Sequence, residues 1–238
     1  MRMRLDKFLA GQGMSRKQAR ALIASGQVSI DGAVQRDPGT LIETDAAQVR
    51  AQGQLLGYQA HLHLMLHKPA GVLTATTDRR QKTVLDLLPE ELSRRALGPV
   101  GRLDKDVTGL LLLTDDGQLA HRLISPRWTV EKSYLARVDG VLDESDVAAF
   151  RAGIALSDFE ARPARLEILS AELGRLTITE GKFHQVKRMF AARGKPVLAL
   201  HRESVGGVAL DPALKCGDFR PLTPEEAQHL YALVRMEN

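Results

Sequence analysis

The chain has 238 residues, 44% hydrophobic and 26% charged, with a formal net charge of +4; that is a globular proportion, and it excludes disorder as the default. A single cysteine, Cys216, excludes a disulfide framework and a Cys-rich metal site. The opening MRMRLDKFLA lacks the apolar core of a signal peptide and no stretch reaches the roughly eighteen apolar residues that span a bilayer, so a soluble cytoplasmic protein is expected.

In chain order, a short amphipathic helix is predicted from Arg4 and a second from Ser15 to Ser25, with Ser15 as N-cap and Gln18 at the capping-box position. Asp31-Gly32, between Ile30 and Val34, is a hairpin signal. Residues 50 to 60, RAQGQLLGYQA, show little periodicity and hold two glycines, which reads as a linker. The division expected is a small domain over 1–55, a linker over 56–60 and a larger domain over 61–238. The larger one starts at HLHLMLHKP, where Leu62, Leu64 and Leu66 alternate as in a strand with one buried face.

Residues 101 to 117, GRLDKDVTGLLLLTDDG, run from a polar loop into four leucines. Such a run bounded by Gly and Asp reads as a strand buried on both faces, with Asp104 on the loop at its mouth. Further strands are predicted at Lys132 to Val138, Arg165 to Leu169, Arg175 to Thr179, Val197 to His201 and Val205 to Leu210. Asp143 caps a helix that Gly153 ends, Gly194 ends one begun near His184, and Thr223-Pro224 opens the last. Strands outnumber helices without a regular βαβ rhythm, so the fold class is α+β with a mixed, mainly antiparallel sheet flanked by helices.

Charge is uneven. Residues 1 to 60 hold eight Lys/Arg against five Asp/Glu, and Arg16, Lys17 and Arg20 share one helix surface. Residues 175 to 202 hold seven Lys/Arg and one acid, Glu180. Two basic surfaces suit a polyanion gripped at two places. An ordinary aspartate is ionised at neutral pH, so Asp104 could serve as a nucleophile or base, or could merely pin its loop with Arg102. Asp104 and Asp106 have no third ligand nearby to complete a hard-cation site, so no metal is expected.

HKPAGV at 67–72, GRLDKDVTGL at 101–110, EKSYLARV at 131–138 and TITEGKFHQVKRMFAARG at 177–194 occur in this order, with LHRE at 200–203 and FRPLTPEE at 219–226. Together they resemble the pseudouridine synthases of the small-ribosomal-subunit type, along nearly all of the chain. The first fifty residues resemble an S4 RNA-binding module. The resemblance implies isomerisation of a uridine in 16S ribosomal RNA, uridine 516, by a monomer without a cofactor, acting on the RNA or on a small-subunit assembly intermediate. It implies Asp104 as nucleophile, Arg102 as the side chain that holds the nucleotide out of the stack, Tyr134 as the ring beneath the base and Lys187 as the basic partner of Asp104. Lys182, His184, Gln185 and Arg188 are implied as RNA contacts, and Arg16, Lys17 and Arg20 are expected to be RNA contacts from their shared helix surface. The alternatives are a synthase for a 23S position and a catalytically silent RNA-binding assembly factor. The route of Asp104, through C1′, through C6 or through a glycal, stays open.

Overall fold

The computed structural model describes residues 2–12, 14–44, 47–56, 61–93 and 95–236. They fall into two compact units, residues 1–62 with 89–95, and residues 63–88 with 96–238.

In the first unit α1 (Leu5–Gly11) and α2 (Arg16–Ala24) bury Leu5, Phe8, Leu9, Ala19 and Ile23 against Val28, Ile42 and Val49. Ser15 caps α2 as its sequence foretells: the Gln18 amide N–H donates to its hydroxyl at 3.2 Å, and Gln18 Oε1 accepts from the Ser15 N–H at 2.7 Å. Asp31 and Gly32, with φ of 50° and 86°, turn the chain between Val28–Ile30 and Ala33–Gln35. The linker reading of residues 50 to 60 is overturned over its first part. Val49–Ala51 and Gln54–Leu56 form a hairpin about Gln52-Gly53, with φ of 52° and 84°, and Val49–Ala51 also pairs with Val28–Ile30. Three-residue strands are too short to display alternation, so only the glycine signalled the turn. Residues 57–60 lie outside the described residues.

The second unit is built on a nine-stranded sheet. Its main strands are β1 (His63–Lys68), β2 (Thr108–Thr114), β3 (Lys132–Val138), β4 (Arg165–Ser170), β5 (Leu173–Ile178), β6 (Val197–Val205) and β7 (Phe219–Pro221). They run in the order β4-β5-β3-β6-β2-β1-β7, antiparallel except for the β6–β2 pair. Val197 to Val205 is therefore one strand and not the end of one and the start of another. The expectation of one buried face for β1 is also corrected: Leu64, Met65, Leu66 and Lys68 are all 1% exposed or less, because β1 lies inside the sheet with cover on both sides. Met65, Leu110 and Leu112 pack with Leu119, Leu123, Leu230 and Tyr231, while Leu111 and Leu113, pointing oppositely, are fully buried too.

Helix α3 (Gly117–Ile124) has no counterpart among the sequence expectations, although Asp116, which accepts from Gln118 and Leu119 N–H, was a legible cap. Helices α4 (Glu144–Ala152), α5 (Gln185–Ala192) and α6 (Pro224–Leu233) lie where Asp143, the His184 region and Thr223-Pro224 place them.

Gly109 joins the two halves of the sheet. At φ +109° it sits where β2 meets β6, and a Cβ there would lie 2.3 Å from the Arg202 carbonyl oxygen and 2.5 Å from its nitrogen. Only glycine admits that approach. Gly109→Ala is expected to lower the urea-unfolding free energy by about 2 kcal/mol through backbone strain and displacement. An unchanged midpoint would show that the junction is slack.

Candidate active site

The loop that carries Asp104 is held from beneath by KPAGVLT. Lys68 is fully buried, and its ammonium donates to the carbonyls of Pro69 (2.9 Å), Lys105 (3.3 Å) and Val107 (2.9 Å). Gly71 N–H donates to the Lys105 carbonyl at 2.7 Å, the Thr74 hydroxyl donates to the Leu103 carbonyl at 2.7 Å, and Leu103 N–H returns a bond to that hydroxyl at 3.2 Å. The loop closes on itself through Val107 N–H to the Asp104 carbonyl. Asp104 thus projects from a short turn tied at three residues, at the mouth of a deeply buried strand of the sheet.

Burial pushes the Lys68 ammonium down to about 8, and burial with the repulsion of Arg202 does the same to Lys132. In the unfolded chain both lysines hold their protons to about pH 10.4. Between pH 8 and 10 the unfolded state therefore binds more protons than the folded one, and stability rises with pH. The urea midpoint is expected to climb over this window in the wild type and to climb less in Lys68→Met. Equal slopes in the two proteins would contradict a charged, buried Lys68.

Asp104, Tyr134 and Lys187 line one cavity of about 70 Å³, together with Arg102, Lys182, His184 and Gln185. A wider cleft of about 550 Å³ shares Arg102, Asp104, Lys182 and His184 and is flanked by Phe183. β3 supplies Tyr134, which is 7% exposed, with the Arg202 guanidinium 6.0 Å over its ring. The turn before α5 supplies His184, in the left-handed conformation at φ 49°, with its ring stacked on Phe183 at 3.8 Å and its Nε2 3.5 Å from Asp104 Oδ1.

Lys187 Nζ lies 3.2 Å from Asp104 Oδ2, and it donates more closely to both oxygens of Asp106, at 2.7 and 2.9 Å. It is therefore shared between two carboxylates. Partial burial, which alone would lower it, is outweighed by these hydrogen bonds, and Lys187 is held above the ordinary lysine range. The same ammonium holds Asp106 below the ordinary carboxylate range. The weaker contact falls on Asp104, whose lone pairs stay less engaged.

The remaining residues singled out from the sequence are placed variously. Lys182 lies over the Phe159 ring at 3.7 Å, and Arg188 pairs with Asp158 beside the same ring. Gln185 is 3% exposed, its Oε1 accepting from Lys182 N–H at 2.9 Å and its Nε2 donating to Glu180 at 2.8 Å, so it shapes the turn that presents His184. Arg16 and Lys17 are exposed on α2, in the other compact unit, while Arg20 donates to the buried Asp6 at 3.1 Å. Lys68, Thr74, Phe183 and Arg202 escape sequence reasoning, which considers Asp106 only as half of a metal pair with Asp104. A lysine at the end of an apolar strand was the one legible signal for Lys68; nothing in spacing distinguishes Asp106 or Arg202 from surface charges.

A carboxylate held beside a tyrosine ring, in a cavity whose rim is cationic, is equipment for acting on a base taken out of a nucleic-acid stack. The chain belongs to the RNA pseudouridylate synthase family, which it matches over residues 62–192, and residues 3–46 match the S4 domain. It is 45% identical over 230 residues to an uncharacterized RNA pseudouridine synthase of Bacillus subtilis, covering 94% of this chain and 96% of that one. It is 44% identical over 230 residues to the ribosomal small subunit pseudouridine synthase A of Escherichia coli, covering 94% and 98%. A crystal structure of a pseudouridylate synthase superposes with a TM-score of 0.69 at 40% identity, covering 96% of this chain and 99% of that one. The enzyme is an isomerase that converts uridine to pseudouridine in RNA.

Proposed function

We propose that the enzyme isomerises uridine 516 of 16S ribosomal RNA, with Asp104 opening the reaction. The observation that carries this reading is the convergence of Asp104, Tyr134 and Lys187 on one cavity; the relatives named for the small ribosomal subunit supply the substrate class. The reaction breaks the N1–C1′ bond, turns the uracil over, joins C5 to C1′ and releases the C5 proton. Nothing is oxidised and no group is gained, so side chains suffice. The target atom is inaccessible in a stacked strand, and the nucleotide is flipped at a cost of a few kcal/mol, least for a base in a loop or bulge. Arg102 then fills the vacated place and Tyr134 supports the ring. Asp106 draws the greater share of the Lys187 charge, leaving the Asp104 carboxylate less engaged and available to attack. The enzyme acts as a cytoplasmic monomer on the RNA or on a small-subunit assembly intermediate.

Pseudouridine mapping of ribosomal RNA from cells with and without the gene tests the assignment. Loss of the modification at that one small-subunit position is expected; loss at a large-subunit position, or nowhere, overturns it.

The S4 unit supplies a second hold. Arg16→Gln with Lys17→Gln is expected to weaken RNA binding and to make the slope of log affinity against log salt shallower by roughly 0.7 to 0.9 for each phosphate that is no longer gripped. An unchanged slope would remove this face of α2 from the backbone-binding surface.

A further inference from the structure

Behind Tyr134 lies a second cavity of about 60 Å³, lined by Arg102, Lys132, Tyr134 and Arg202, with the exposed Ile124 at its rim. Lys132 and Arg202 are 8% and 3% exposed, and neither has an ion-pair partner among the described residues. Arg202 Nε donates to the Leu110 carbonyl at 2.8 Å and Lys132 to that of Val130 at 2.9 Å. Arg202 Nη2 is the one buried side-chain nitrogen or oxygen among the described residues with no hydrogen-bond partner. Two buried cations facing one cavity, one of them with an idle donor, are unfavourable in an isolated protein and become favourable when an anion enters.

We propose that this cavity seats one phosphodiester of the bound RNA strand, the linkage next to the flipped uridine, so that Arg202 and Lys132 grip the backbone while Tyr134 supports the base. This rests on the reading of the first cavity as the uridine site. The charge selects the ligand class: a base carbonyl would leave two adjacent positive charges unneutralised, whereas a phosphodiester brings a full negative charge and acceptor oxygens for both donors. The size agrees, since one water takes about 10 to 15 Å³ by the same measure and the oxygens of one phosphate fill the space. The position agrees as well, because Arg102, Tyr134 and Gly181 line both cavities, placing the anion seat one residue's breadth from Asp104. The depressed Lys132 ammonium is what a cation looks like before its anion arrives.

The test uses the full-length wild-type chain and a small-subunit RNA fragment that it converts to pseudouridine; that conversion checks the reading of the site independently. Methylphosphonates, which remove one negative charge and keep the shape, are placed singly at each linkage around the target. One linkage beside the uridine is expected to lose affinity by about tenfold or more in the wild type, as for a hydrogen bond to a charged group. In Lys132→Met and Arg202→Met the same substitution is expected to cost about threefold or less, because one of the two cations is already gone. No sensitive linkage in the wild type, or equal sensitivity in wild type and both variants, overturns the proposal. Should neither variant fold, acylation of Lys132 read by mass spectrometry replaces them: native RNA protects it and the methylphosphonate RNA does not, and equal protection overturns the assignment. Inorganic phosphate raising the melting midpoint, with every RNA linkage insensitive, would assign the cavity to a free anion and also overturn it.

Discussion

Asp104→Asn is expected to lower the single-turnover rate of uridine isomerisation by on the order of 10⁴-fold or more, while RNA affinity stays within about threefold of the wild type. The amide keeps the shape of the carboxylate, and the loop that presents it is tied through Lys68, Gly71 and Thr74, none of which touches the Asp104 side chain. The turn therefore survives, and Lys187 retains its closer partner, Asp106. What disappears is the charge and nucleophilicity of one group, for which no neighbour substitutes: Asp106 is engaged with Lys187 and His184 carries no carboxylate. Tritium release from RNA labelled at uridine C5, with enzyme in excess, reads the step directly. A rate at even a tenth of the wild type would sink the nucleophile assignment, because an amide cannot perform that role.

How much of this was legible beforehand depends on whether the information is local. Ser15, Asp143 and Thr223 cap the helices that the sequence places after them, since a cap is a contact between residues three apart. The four leucines after Asp104 announced a buried strand by composition alone. The hairpin at Gln54–Leu56 went unread because three-residue strands carry too few periods to stand above noise, whereas helix α3, as long as α5, went unread although its cap Asp116 was a local signal. Long-range consequences were least visible. Lys68 reads as a strand-end charge and turns out to be a fully buried strut 37 and 39 residues from the carbonyls it holds. Gly109 reads as a strand terminus and turns out to be demanded by the backbone of Arg202 across the sheet. Lys187 was placed beside Asp104 by resemblance; its stronger bond to Asp106, spaced two residues on, follows from how α5 approaches the loop, and no pattern in either segment encodes it.

That shared lysine is the site's second large lever. Lys187→Met is expected to lower the saturated single-turnover rate by about a hundredfold, roughly 2.7 kcal/mol, close to the cost of removing one partner from a partly buried, charge-assisted pair. Methionine fills a similar volume, so the change is electrostatic: Asp104 and Asp106 are left side by side without the ammonium that bridges them at 3.2 and 2.7 Å. The two carboxylates then repel, Asp106 loses the partner that holds it low, and Asp104 loses the contact with Lys187. Lys187→Arg should recover most of the rate, because a guanidinium fork can span two carboxylates even though it cannot reproduce a point charge. The competing account makes Lys187 one cation among the seven between residues 175 and 202 that face phosphates. On that account Lys187→Met weakens affinity and makes the salt slope shallower by roughly 0.7 to 0.9, and Lys187→Arg restores both, with the chemistry untouched. The two accounts move different constants. Tritium release measured at saturating enzyme for the wild type and both variants separates them, and a saturated rate for Lys187→Met within about threefold of the wild type, with only affinity reduced, would return Lys187 to the RNA-binding surface.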